Sequence, residues 1–415
     1  MTYTVTIIGI MSGTSNPKKG PSEGIGLMEP MRPSGNHPEL SNLVLDLVAE
    51  SNRLAGMLHP KVRASVGDLV RSMNCYYSNL IEGHDTHPRD IDRALAKDYS
   101  KDGPKRALQK EAVAHIEVQR LIDRGEDPAA EPASRAYVLW LHQEFCGRLP
   151  AEMLRIENPR TKKSIALVPG ALRDTRVVVG RHEPPRPENL PPFLARFEEA
   201  YAAPGLSNAE RIISVGAAHH RFLWIHPFLD GNGRVARLMS YAMLKRLGAG
   251  GPLWSVARGL ARRVDHYKAL LQNADERREN DYDGRGTLSE KALVAFCRFF
   301  LEISIDQVRY MTSLLDPAEF LNRMRIHVEE ETGAGRLPRG SAALLREAWL
   351  SGEFERGRAG ELTGYGERRA RETVAALGKR RLLVSDGPRT AVRLGFPVDV
   401  VGRWFPQLYP ASVER

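Results

Sequence analysis

Apolar residues returning at intervals of three and four mark most of this chain as helical. Leu40 to Ala55 and Val62 to Ile81 are predicted as two helices parted around Pro60, the second aligning Val62, Val66, Leu69, Met73, Tyr77 and Leu80 along one side. Residues 105–124 and 133–148 continue the pattern, as does Asn208 to Trp224, where Ile212, Ile213, Ala217 and Leu223 are expected to face inward. From Arg234, the positions Val235, Leu238, Met239, Ala242 and Met243 predict a helix that ends near Gly248, and a longer one spans Leu288 to Met311. Between Lys163 and His182 the periodicity breaks. Ile165-Ala166-Leu167-Val168, a Pro169-Gly170 turn and Val177-Val178-Val179 predict a β-hairpin.

Breakers divide the chain. Residues 1–36, rich in Gly, Ser, Pro and Asn around the β-like run Thr4 to Met11, are expected to form a poorly ordered leader. A helical region over 37–110 precedes a core over 111–315, and residues 316–340, with Gly333, Gly335, Pro338 and Gly340, are expected as a linker to a C-terminal module over 341–415. In that module Ser341 to Leu350, Ala359 to Thr363 and Glu367 to Gly378 read as helices. Leu382-Leu383-Val384 and Ala391-Val392-Arg393-Leu394, around Asp386-Gly387-Pro388, read as a hairpin. The order resembles a winged helix-turn-helix. Arg368, Arg369, Arg371, Lys379, Arg380 and Arg381 suit phosphate contacts, so DNA is one expected partner, with protein binding the alternative. The fold class expected is mostly α, with one β-hairpin and this appended module.

Composition narrows the classes. The 415 residues, 42% hydrophobic and 27% charged, are ordinary for a globular protein, and the net charge of +9 permits nucleotide or nucleic-acid partners. Cys75, Cys146 and Cys297 are odd in number and widely spaced with no CxxC pair, which argues against a disulfide framework or zinc site and for a reducing compartment. No run approaches the ~18 apolar residues of a membrane span, so no membrane partner and a cytoplasmic location are expected.

Chemistry concentrates in His226-Pro227-Phe228-Leu229-Asp230-Gly231-Asn232-Gly233-Arg234-Val235-Ala236-Arg237. Glycines flanking Asn232 allow positive φ, so that backbone N–H groups converge into an anion nest at the N-terminus of the helix that follows. Arg234 and Arg237, three apart, share a face and suit further phosphate oxygens. Asp230 suits Mg²⁺, which needs only one or two carboxylates plus phosphate oxygens. His226, of ordinary pKa near neutrality, suits proton removal from a hydroxyl, and Phe228 is expected to pack beneath the loop. The stretch reads as a polyphosphate cradle with a base beside it.

This run resembles the HPFx(D/E)GNGRxxR signature of Fic proteins at every specified position. The resemblance implies transfer of AMP from ATP to a Ser, Thr or Tyr hydroxyl of a target protein, self-modification included. His226 would be the general base, Asp230 the Mg²⁺ ligand, Gly231, Asn232 and Gly233 the holders of the α- and β-phosphates, and Arg234 and Arg237 those of the β- and γ-phosphates. Gly233 stands where the phosphorylating branch has Lys. Ser78-Asn79-Leu80-Ile81-Glu82-Gly83 fits the (S/T)xxxE(G/N) inhibitory motif, which implies that Glu82 pairs with Arg237 and denies it to the γ-phosphate. Asp265-His266-Tyr267 resembles the family's adenine-contacting Asp-Tyr-Tyr, which makes Tyr267 a nucleotide contact, although the family's later Asn aligns with Ala274 beside Asn273. The hairpin corresponds to the family's target-docking flap. His219 and His220 read as packing residues, and a homodimer is expected. The rival reading is a DNA-binding regulator whose core senses nucleotide.

Overall fold

The computed structural model describes residues 5–7, 24–157 and 164–410. Four helices come first: α1 (Pro38–Gly56), α2 (Pro60–Ile81), α3 (Pro88–Leu95) and α4 (Gly103–Arg124). Each has proline in its first turn, where a fixed φ and a missing N–H cost nothing. Next come α5 (Arg135–Cys146), α6 (Leu190–Tyr201), α7 (Asn208–Ile225), α8 (Asn232–Arg246), α9 (Val256–Arg262), α10 (Val264–Asp275) and α11 (Glu290–Leu314). A capping box between Ser207 and Glu210 starts α7. Helix α8 is the hub. Its Val235, Ala236, Leu238, Met239 and Ala242 are all fully buried, because α7, α5, α4 and α9 surround it, and α11 closes the core against α1 and α7. In α7 it is Ile212, Ala217 and Phe222 that are buried, while Ile213 and Leu223 are half-exposed, a small rotation from the expected face.

A small hairpin forms, but not by the expected pairing of residues 165–168 with 177–179. Four short strands, β1 (Val5–Ile7), β2 (Arg155–Glu157), β3 (Ser164–Ala166) and β4 (Val177–Val179), pair as two separate antiparallel ribbons, β2 with β3 and β1 with β4. The intervening chain is pulled elsewhere: Gly170 N–H donates to His142 Nδ1 at 2.9 Å, and Arg173 is fastened to the carbonyls of His226, Thr175 and Pro185. Such tertiary anchors override a local turn signal.

Two further expectations need correction. Residues 24–36 are part of the core rather than a loose leader: Met28 and Met31 are buried, Arg221 donates to the Pro30 carbonyl, and Leu288 N–H to that of Glu29. Most of the rest of the expected leader lies outside the described residues. The expected linker contains a helix, α12 (Pro317–Gly333), capped by Asp316, with Phe320, Met324, His327 and Val328 inward.

Helix α12 packs with the C-terminal elements α13 (Ser341–Leu350), β5 (Glu353–Phe354), α14 (Ala359–Thr363), α15 (Glu367–Lys379), β6 (Leu383–Val384), β7 (Val392–Leu394) and α16 (Val398–Trp404). Strands β5, β7 and β6 form an antiparallel sheet in that order, so the sequence of elements is helix, strand, helix, helix, strand, strand. Phe320, Trp349, Phe396, Trp404 and Phe405 make its aromatic core. Four of the six expected phosphate contacts are in ion pairs: Arg380 with Glu331 at 2.7 Å, Arg381 with Asp92 of α3 at 2.9 Å, and, on the exposed face of α15, Arg368 with Glu372 and Arg371 with Glu367. Beyond α16 the chain returns to α2. Tyr77 donates its hydroxyl to the Leu408 carbonyl at 2.9 Å, Arg258 donates to the Gln407 carbonyl at 2.8 Å, and Tyr409 packs edge-on to Tyr76. All three cysteines are free and buried. Among the described residues no helix is long and apolar enough to cross a membrane.

Candidate functional site

The loop between α7 and α8 is closed by its own side chains. His226 ends α7 in the left-handed region, φ 47°, with its carbonyl held by Arg173 Nε at 2.8 Å, while Arg173 N–H donates to the Pro227 carbonyl. Phe228 is fully buried and stacks on His142 with centroids 3.9 Å apart, as a residue packed beneath the loop should. Asn232 bridges back to it twice, Oδ1 accepting from Phe228 N–H and Nδ2 donating to the Phe228 carbonyl, both at 2.9 Å. The Asn232 amide therefore shapes the loop, which leaves its backbone N–H for an anion. Gly231 takes φ 80° and caps α8, whereas Gly233 is helical, so only one of the two glycines supplies positive φ. The first intrahelical bond runs from Val235 N–H to the Gly231 carbonyl, and the N–H groups of Asn232, Gly233 and Arg234 have no partner among the described residues.

His226 is 7% exposed, and neither ring nitrogen has a hydrogen-bond partner among the described residues. Burial, then the nearby Arg173, pushes its pKa from 6.5 to about 3, so the imidazole is neutral and its nitrogens are open to accept a proton.

Arg234 and Arg237 begin on one face but end on different carboxylates. Arg237 donates through Nε to Ser78 Oγ at 2.8 Å and through Nη2 to Glu82 Oε1 at 2.6 Å; its side chain is 3% exposed, that of Glu82 32%. Burial pushes the Glu82 pKa up, but Arg237 and Arg234 outweigh it and the net shift is downward. Arg234 is held by Glu111 of α4, its Nη2 2.6 Å from Oε1. Sequence reading missed Glu111 and its neighbour His84, because nothing local marks a lone glutamate more than a hundred residues before the arginine it serves. It missed Arg173 for the same reason.

Asp230 is exposed at the mouth, with Oδ1 accepting from Gly231 N–H at 2.6 Å. Among the described residues no three His, Cys, Asp or Glu side chains cluster as a metal site. One carboxylate beside a phosphate-binding loop still fits Mg²⁺, whose remaining ligands come from phosphate and water. Tyr267 lines the same cavity with Lys268 and Leu271, and its hydroxyl lies 2.7 Å from His219 Nε2; Ala274 is buried and Asn273 is exposed, outside the cavity lining. His219 also meets Ser240, and His220 meets the Leu271 carbonyl and Asp275, so both are packing residues with satisfied rings. The cavity holds about 130 Å³ and includes Glu82 in its wall, against roughly 300–1,000 Å³ for sites that take a nucleotide-sized ligand.

Residues 132–244, which carry this loop, match the Fic/DOC family. They are a Fic domain. Protein adenylyltransferase Fic of Drosophila erecta is 33% identical over 108 residues, 26% of this chain and 21% of that protein. The protein of the same name from Drosophila grimshawi is 38% identical over 79 residues, 19% of this chain and 16% of its own. The chain thus spans about a fifth of the length of these curated relatives. Among solved structures, a Fic family protein from Desulfovibrio desulfuricans aligns with a TM-score of 0.49 and 18% identity over 88% of this chain and 98% of that one. A Fic-domain signalling protein from Bacteroides thetaiotaomicron aligns at 0.47 and 16%, over 65% and 95%. Glu82, Glu111, Tyr267 and the C-terminal module all lie outside the matched Fic domain.

Proposed function

We propose that this chain is a protein adenylyltransferase that moves AMP from ATP to a side-chain hydroxyl of a target protein, and that Glu82 holds it in an inhibited state. The observation that carries the reading is a neutral His226, unpartnered among the described residues, beside the N–H groups of the α8 N-terminus that are likewise unpaired there, with Arg237 one turn further along α8. The N–H groups of Asn232, Gly233 and Arg234 and the helix dipole bind the α- and β-phosphates. Arg237, once freed, binds the γ-phosphate. His226 takes the proton from the target hydroxyl as its oxygen bonds to the α-phosphorus and pyrophosphate leaves. Asp230 would hold Mg²⁺, which when bound offsets charge on the phosphates. Tyr267, Lys268 and Leu271, which line the same cavity, would meet the base.

Glu82 blocks this arrangement by occupying the guanidinium that the γ-phosphate needs and by repelling that phosphate. The names of the relatives and the Fic match support the transferase class. Incubation with α-labelled ATP and Mg²⁺ tests the reading: weak self-labelling by wild type and stronger labelling by Glu82→Gly are expected, and no labelling by either sinks it.

A further inference from the structure

Arg234 sits where a charge needs company. Its guanidinium lies 5.4 Å from the Phe145 ring centroid with the side chain 7% exposed, and Glu111, 1% exposed, supplies the counter-charge. Burial pushes the Glu111 pKa up, yet Arg234 and His84 outweigh it, so the carboxylate stays ionised. Removing one partner of such a pair leaves the other charge buried and uncompensated.

The second oxygen of the same carboxylate reaches the inhibitory segment. Glu111 Oε2 lies 2.8 Å from His84 Nδ1, two residues beyond Glu82, and the N–H groups of Glu82 and His84 both donate to the Asn79 carbonyl. Three charged groups face His84: Glu111 from α4, Arg234 from α8 and Glu82 from its own segment. The bond to Glu111 raises the His84 pKa above 6.5. Farther along, the α2–α4 seam is tied by Arg71 with Asp123 and by Asn74 donating to Gln119 at 2.8 Å, but beside these contacts it holds polar groups without partners among the described residues. The Asn79 amide and both ring nitrogens of His115 are buried with no hydrogen-bond partner among the described residues. The end of α2 is tied to α8 through Arg237 and to α4 through Glu111 and His84.

We propose that Glu111 is a positioning residue for nucleotide binding: it aims Arg234 at the phosphates and, through His84, tethers the segment that carries Glu82. The proposal rests on the loop being an adenine-nucleotide site. It predicts two separable effects from one carboxylate. Loss of Glu111 misplaces Arg234, which touches phosphates common to ADP and ATP. Loss of the His84 link alone slackens Glu82, which opposes only the γ-phosphate.

The test is equilibrium binding of ADP and of ATP, each with Mg²⁺, to the full chain as wild type, Glu111→Gln, Glu111→Asp and His84→Gln. Glu111→Gln should weaken ADP by about tenfold and ATP by less, because slackening the Glu82 segment offsets part of the ATP loss, and Glu111→Asp should recover part of the ADP loss. His84→Gln should leave ADP within about twofold and strengthen ATP several-fold. As His84 loses its proton with rising pH, above the ordinary imidazole range because Glu111 raises its pKa, the wild-type preference for ATP over ADP should grow relative to His84→Gln measured alongside. Should Glu111→Gln fail to fold, Glu111→Asp and His84→Gln decide the matter. Unchanged ADP binding in a folded Glu111 variant, or an unchanged ATP preference in His84→Gln, overturns the proposal. A wild type that binds neither nucleotide overturns the site reading, and this proposal with it.

Discussion

Gly233 and Glu82 share one space: a Cβ on Gly233 would stand 2.2 Å from Glu82 Oε1 and 3.2 Å from Arg237 Nη1. The helical glycine is there for its missing side chain, which admits the carboxylate to the α8 N-terminus. Gly233→Ala should therefore break the Glu82–Arg237 pair and lower Tm without raising transfer, because the new methyl also stands over the N–H groups proposed to bind phosphate. Self-labelling equal to that of Glu82→Gly would contradict this.

Glu82→Gly should raise transfer and lower stability together. With Arg237 buried and Glu82 about a third exposed, the cost is about 1–3 kcal/mol, below the ~3–5 kcal/mol of a fully buried pair. The Glu82 pKa is lowered in the folded chain, so its contribution is present above the unfolded carboxyl pKa and is lost as pH falls through the folded value. The Tm gap between wild type and variant should persist at neutral pH and close in acid. In the double variant Glu82→Gly/Arg237→Ala the gain in transfer should vanish, since the benefit passes through Arg237.

His226→Ala should reduce transfer about 10²–10⁴-fold while ATP binding survives, because the imidazole meets the hydroxyl and not the phosphates. Its pKa of about 3 in the free chain also sets a pH profile. In Glu82→Gly, where the lock is absent, kcat/KM should stay level from about pH 7.5 down to about pH 6. An acid limb near 6.5 that disappears with His226 would show the ring to be ordinary.

Tyr77→Phe removes the hydroxyl that reaches the Leu408 carbonyl. The loss should cost about 0.5–1.5 kcal/mol, read as a drop in Tm. An unchanged Tm would mean that the returning segment is not docked on α2.

The chemistry of the loop was legible because it is contiguous: His226, Asp230, Gly231 and the two arginines declare themselves within a dozen residues. Ser78 and Glu82 were legible as a spaced pair, and Arg237 meets both. What could not be read was set by distant contacts. Val177 to Val179 look like the mate of Ile165 to Val168, but Arg173 ties the chain between them to the loop, and the strand pairs with residues 5–7. Residues 24–36 look loose in composition yet are fixed by Arg221 and Tyr201. Helix α12 was hidden differently. The spacing of Phe320, Met324, His327 and Val328 was in the sequence, and the glycines after it drew the eye to a linker.

Alkylation of a cysteine requires a thiolate that the reagent can reach, and burial pushes all three thiol pKa values up, to about 12 for Cys146 and Cys297. The three are equally buried but sit against different elements. Cys75 lies in the α2–α4 seam against the Ala112 carbonyl, Cys146 behind the loop at Gly231, and Cys297 where α11 meets α7 at Gly216. The native chain thus carries three chemical clocks. Local opening of α2 should expose the first before the third, so the order of labelling should separate movement of α2 from global unfolding without any introduced probe.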